Sequence, residues 1–229
     1  MERRWFDTEL AVRSQATGGI TLEGHAAVFN KVSRNLGGFV EQVAPGAFDD
    51  TLAATPDTRA LFNHDPSLIL GRTLAGTVRL STDESGLYYS IDVPDTSVGR
   101  DLTISIERGD ITQSSFGFYV NRDAWTQTND GYPLRTLEAV DLNDGDVSPV
   151  TYPAYPQSDA GLGEAVRSLA EVRGMSVGDA VELAKAGTLA TLLHQPEDDD
   201  PTVDERQSVP LSVVRARLAL MARATRPVT

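Results

Sequence analysis

Residues 111–120 read ITQSSFGFYV, two adjacent serines followed by Phe-Gly-Phe. Side chains of a strand alternate between its faces. Ser114, Phe116, Phe118 and Val120 therefore share one face, and Gln113, Ser115, Gly117 and Tyr119 the other. The phenylalanine face is the expected core face. Ser114 then turns inward as a small packing residue, Ser115 points outward, and Gly117 beside it leaves room for a close backbone approach.

Working outward, residues 1 to about 156 read as mostly strand. GITLEGHAAVFN (19–30) alternates into a turn, and GTVRLSTDESGLYYSIDV (76–93) reads as two strands around the polar turn DESG. DITQSSFGFYVNRDAW (110–125) and YPLRTLEAVDLNDGDVSPVTY (132–152) supply further strands. Short helices are predicted at PGAFDDTLA (45–53) and at DTSVGRDLTISIERGD (95–110), where Val98, Leu102 and Ile106 recur every fourth residue. After residue 156 the composition turns helical. SDAGLGEAVRSLAEVRG (158–174) reads as one helix ended by Gly174, and SVGDAVELAKAGTLATLLHQ (176–195) as a second, N-capped by Ser176. PEDDDPTVDERQSVP (196–210) is acidic, Pro-flanked and poor in large apolar groups, the composition of a linker. LSVVRARLALMARATRPVT (211–229) is basic, with Leu211, Val214 and Leu218 on one helical face. The domain reading is a core over 1–156, a helical extension over 157–193, an acidic linker over 194–210 and a basic amphipathic helix over 211–229.

The 229 residues carry a net charge of −13 and no cysteine. Disulfides, thiolate metal sites and cysteine nucleophiles are excluded. The charge is opposite in sign to that of a typical nucleic-acid binder, so no nucleic-acid partner is expected. No stretch approaches the apolar length of a membrane span, and the N-terminal segment lacks the apolar region of a secretory signal, so no membrane role is expected either. No cofactor or metal is expected.

A serine hydroxyl becomes a nucleophile only beside a general base, most often histidine. The chain has three: His25, His64 and His194. His194 borders the acidic linker. His25 lies in a strand and reads equally as a half-buried structural histidine. His64 lies in LFNHDPSLILGR (61–72), where an apolar pair runs into the turn-forming Asn-His-Asp-Pro. Pattern alone leaves a Ser–His hydrolase as one reading among several, since a serine pair on a strand and a histidine in a turn are commonly structural.

Seven motifs then occur in order: GHAAVFN, EQVAPGAF, LFNHDPSLILGRT, GTVRLSTDESGL, VPDTSVGRDL, IERGDITQSSFGF and DVSPVTYPAY. This series, over roughly residues 20 to 156, resembles the tailed-phage prohead serine proteases, which are similar to the herpesvirus assemblins. The resemblance implies an α+β fold with a mostly antiparallel, β-barrel-like protease core surrounded by short helices. It implies an endopeptidase of capsid maturation, active inside the immature capsid in the host cytoplasm. Its partners would be scaffold and the major capsid protein, whose scaffolding segment it trims, with cleavage of itself and possible self-association. The alternative is a catalytically silent scaffolding protein built on the same domain. Carried over residue by residue, the histidine is His64, the serine Ser115 and the carboxylate Asp146. The family commonly has Glu or Asp before Val-Ser, but Asn-Asp-Gly in DLNDGDVSPV is longer than its usual turn. Glu138, Asp141 and Asp144 stay as alternatives, as does His25, where the family usually has tyrosine and assemblins use a second histidine.

Overall fold

In the computed structural model, residues 1–16, 18–152 and 159–190 are described. The linker and basic helix expected beyond residue 193 lie outside them, as does His194. In chain order the strands and helices are β1 (Glu2–Asp7), β2 (Ala11–Ser14), β3 (Ile20–Val28), β4 (Val40–Val43), α1 (Asp49–Ala53), β5 (Arg59–Phe62), β6 (Asp65–Arg72), β7 (Val78–Thr82), β8 (Gly86–Asp92), α2 (Ser97–Glu107), β9 (Gln113–Gln127), β10 (Pro133–Val150), α3 (Asp159–Val172) and α4 (Val177–Lys185).

The strands form two open sheets rather than the expected barrel-like closure. One runs β1-β9-β10-β5-β6, with β4 also paired to β10; the other runs β2-β3-β8-β7. Among the described residues the two sheets touch in backbone pairing only at a single parallel bridge, Phe29 with Val43, just past the end of β3 and at the end of β4. Strand β10 is the spine of the larger sheet. One side pairs antiparallel with β9 along almost its whole length; the other takes β4 in parallel at Leu134–Leu137 and β5 in parallel at Asp146–Val147.

The core fills the space where the two sheets and α2 meet. Phe116 and Phe118 stack with centroids 4.5 Å apart, and Phe116 meets Phe48 edge-on at 5.7 Å. Tyr89 and Ile91 of β8, Leu102 and Ile106 of α2, and Leu137, Leu142 and Val147 of β10 belong to the same buried cluster. Burial at this scale stabilises by roughly 25 cal/mol per Å² of apolar area removed from water. Helix α2 follows its four-residue apolar spacing and is capped by Thr96, whose hydroxyl accepts from the Gly99 N–H at 3.2 Å. Helix α4 is capped in the same way by Ser176, but it ends at Lys185, short of the sequence expectation, where Gly187 turns left-handed at φ +68°.

A second buried feature is ionic. Arg135 of β10 is almost fully enclosed and donates to Glu2, Glu41 and Asp123, and Arg4 donates to Glu2 and Glu41. Burial alone would favour a neutral guanidinium, but the surrounding carboxylates outweigh it and hold Arg135 more firmly charged than usual. The lattice fastens β1 to β4, β9 and β10.

Candidate active site

The His64 backbone is set by a two-residue hairpin turn. Phe62 of β5 faces Asp65 of β6, and Asn63 and His64 between them have φ of +56° and +57°. Two consecutive left-handed residues give the turn whose twist matches the flanking strands, and asparagine is suited to the first of them. Asn63 also locks the turn to the end of β10. Its N–H donates to the Pro149 carbonyl at 3.0 Å, its Oδ1 accepts from the Thr151 N–H at 2.8 Å, and its Nδ2 donates to Thr151 Oγ1 at 3.1 Å. His64 is thereby held rigidly over β9 and β10.

There it joins Ser115 and Asp146 in one hydrogen-bonded chain. Nδ1 lies 2.5 Å from Asp146 Oδ2, and Nε2 lies 2.6 Å from Ser115 Oγ. An ionised carboxylate only accepts, so the Nδ1 proton points to Asp146 and Nε2 is free to accept from Ser115. The Ser115 hydroxyl has a second acceptor, the Arg4 carbonyl of β1 at 2.9 Å. Asp146 Oδ2 also accepts from Ser148 Oγ. Ser115 is 0% exposed, His64 8% and Asp146 3%, so the chain is shielded from competing water.

The two serines of the opening stretch part as alternation requires. Ser114 Oγ lies 2.8 Å from the hydroxyl of fully buried Tyr89, whose pKa burial pushes far above the ordinary phenol value, keeping it neutral. Ser115 is on the opposite face, yet it is not exposed there. His64 Nε2 and the Arg4 carbonyl of β1 both lie against its hydroxyl. Gly117 also makes room within the site. A Cβ there would lie 2.6 Å from Asp146 Oδ1, so its missing side chain makes room for this chain's own carboxylate. Gly145 lets the backbones approach, since its Cβ would lie 2.3 Å from the Gly117 carbonyl oxygen.

The other candidates are engaged elsewhere. Glu138 pairs with Arg122, and Asp144 with Arg59. Asp141 accepts from Thr51 Oγ1 and the Asn143 N–H. His25 sits on the smaller sheet with Nε2 2.8 Å from Asp83 Oδ2. Among the described residues no cluster of three or more His, Asp or Glu could hold a metal ion. No helix among them is long and apolar enough to cross a membrane. Asn63 escapes a reading of the sequence because its contacts are with the distant end of β10, and Ser148 because a serine two residues from a carboxylate is commonplace on a strand. The one available signal was the two-residue spacing of Ser148 from Asp146, which puts both on one face.

The prohead protease of Enterobacteria phage HK97 is 29% identical over 185 residues, covering 79% of this chain and 76% of that one. The solved structure of the bacteriophage T4 capsid assembly protease, gp21, shares 17% sequence identity over 67% of this chain and 100% of that one, with a TM-score of 0.36. The family model of the caudovirus prohead serine proteases matches residues 8–173, more than half of the sequence, and the chain belongs to that family.

Proposed function

We propose that this chain is the serine endopeptidase that matures a phage prohead, with Ser115 as nucleophile, His64 as general base and Asp146 as the group that orients His64. The observation that carries the reading is the unbroken chain Asp146 Oδ2–His64 Nδ1 and His64 Nε2–Ser115 Oγ. In such an array His64 takes the Ser115 proton as Oγ attacks the scissile carbonyl, and later returns it to the leaving amine. Asp146 fixes the imidazole tautomer and stabilises the imidazolium formed in between. The Ser115 hydroxyl has one proton and two acceptors, and attack requires that the proton lie on the His64 side.

The substrates are scaffold or the scaffolding segment of the major capsid protein, and the chain itself, cut inside the immature capsid in the host cytoplasm. The acidic, Pro-flanked segment 196–210 suits self-cleavage, since sequences of that composition are readily nicked. The test is incubation of the purified chain with capsid precursor, compared with Ser115→Ala and His64→Ala. Trimmed precursor with wild type alone supports the reading. Intact precursor in all three, with the wild type still incorporated into proheads, would instead identify a catalytically silent assembly protein.

A further inference from the structure

We propose that Ser148 is a positioning residue of this site, a fourth member that fixes the Asp146 carboxylate so that Oδ2 faces His64. This rests on the serine-protease reading above and extends it by one residue. Strand β10 carries Asp146 and Ser148 two positions apart, hence on the same face. In the antiparallel ladder Asp146 stands opposite Gly117 and Ser148 opposite Ser115. Ser148 could therefore have turned towards the nucleophile. It turns along its own strand instead, and its hydroxyl donates to Asp146 Oδ2, the same oxygen that receives His64 Nδ1–H.

The consequence is rotational. A carboxylate on a single-bonded stem can swing about χ2 and exchange its two oxygens. Two donors converging on Oδ2 fix one orientation. The bare Cα of Gly117, against which Oδ1 rests, leaves that orientation sterically free. Ser148 is fully buried, so no water takes over its hydrogen bond when the hydroxyl is removed. Without that donor, Asp146 is held by His64 alone, and the histidine loses its fixed partner. Ser148 touches no substrate in this account; it acts through Asp146 and then His64.

The test compares Ser148→Ala and Ser148→Cys, the latter keeping the side-chain volume with a far weaker donor, and Ser148→Thr, which keeps the hydroxyl. The readouts are kcat and KM on capsid precursor, thermal melting, and the proton NMR resonance of the His64 ring N–H bonded to Asp146, which lies far downfield of the backbone amides and is lost in Asp146→Asn. Ser148→Ala and Ser148→Cys should lower kcat about tenfold to a hundredfold, the range for a hydrogen bond to a charged group, with KM little changed. They should also shift or broaden the downfield resonance, and Ser148→Thr should recover much of both. A folded Ser148→Cys with wild-type kcat and an unmoved resonance overturns the proposal. So does a loss in Ser148→Ala that Ser148→Cys fully restores, since that effect is one of volume. If the resonance responds as expected but not even the wild type cleaves precursor, the positioning role stands and the proteolytic reading fails.

Discussion

Replacing Gly117 with alanine should disable this site while leaving the fold standing. Gly117 lies in β9, and its φ is not left-handed, so alanine meets no backbone penalty there. The obstacle is local. The new Cβ would lie 2.6 Å from Asp146 Oδ1, 3.4 Å from its Cγ and 3.2 Å from Met1 Sδ. The first contact falls short of ordinary van der Waals separation by on the order of 0.8 Å. A flexible methionine tip can yield. The carboxylate cannot do so freely, because His64 and Ser148 both hold its other oxygen. Relief therefore comes from moving Asp146 and with it the imidazole. A misplacement of about 1 Å in a catalytic group costs roughly a hundredfold in rate, or about 2.7 kcal/mol at about 1.36 kcal/mol per factor of ten. The folding cost is that of modest overpacking, about 1–3 kcal/mol, partly offset by the reduced backbone freedom of alanine in the unfolded chain. The assay is kcat/KM on capsid precursor beside a thermal melt. In an Asp146→Ala background the same substitution should cause little further loss, because the group it displaces is gone. A Gly117→Ala protein that cleaves within about twofold of wild type would show that the Gly117–Asp146 contact does not set the triad geometry.

Ser115→Ala should abolish cleavage, whereas Ser114→Ala should keep most of it and melt lower, because the Tyr89 hydroxyl loses its buried partner at a cost of about 1–3 kcal/mol; equal loss of cleavage in two folded variants would refute the face assignment. Asn63→Ala removes both side-chain bonds to Thr151 and puts a residue ill suited to positive φ into the turn, so stability and kcat should fall together; a normal kcat would show that the clamp does not position His64. Arg135→Met should destabilise by about 3–5 kcal/mol by taking the Arg135 cation from Asp123 and leaving buried Glu2 and Glu41 to share Arg4 alone, measured by denaturant melts. The hydrogen bond from Arg72 lowers the Asp57 pKa, so the stability this pair adds is present above the unfolded carboxylate value of about 4 and is lost as pH falls through the folded value; the stability gap between wild type and Arg72→Met should narrow on acidification below that point.

What the sequence made legible follows from which signals are local. The face pattern of β9, the apolar spacing of α2 and the caps Thr96 and Ser176 depend on neighbours within a turn or two, and each can be read directly. Strand β1 is hidden by its composition. Glu2, Arg3 and Arg4 look like an exposed charged terminus, and only the positions of Glu41 and Arg135, 37 and 133 residues away in sequence for their contacts with Arg4 and Glu2, turn the charges of Glu2 and Arg4 into an enclosed lattice, while Arg3 stays exposed. Strand β6 is masked by Pro66, which demotes a strand reading. It is tolerated because β6 is an edge and one side of its backbone pairs with nothing among the described strands. Closure into a barrel was not legible at all, since whether two sheets join depends on pairing at their edges.

The long Asn-Asp-Gly turn that left the carboxylate open in the sequence also upsets the parity of β10. Counting by twos along β10 from Asp141, which faces Tyr119, puts Asn143 and Gly145 on the face shared with Ser115 and turns Asp146 away. A regular strand would thus favour Asp141 over Asp146. The chain breaks the count with a bulge: residues 142–145 stand against the single residue Phe118, and pairing resumes at Asp146 opposite Gly117. The extra residues are accommodated by their own bonds. Asp141 accepts from the Asn143 N–H at 2.8 Å, Asn143 Oδ1 accepts from the Asp57 N–H at 3.2 Å, the Asp144 N–H donates to the Asp57 carbonyl at 3.0 Å, and Asp144, at φ +55°, pairs with Arg59. The long Asn-Asp-Gly turn therefore spends its length outside the ladder, moored to the start of β5. Because β5 also leads into the His64 turn, the bulge that returns Asp146 to the face of Ser115 is fastened to the same strand that carries the histidine Asp146 bonds.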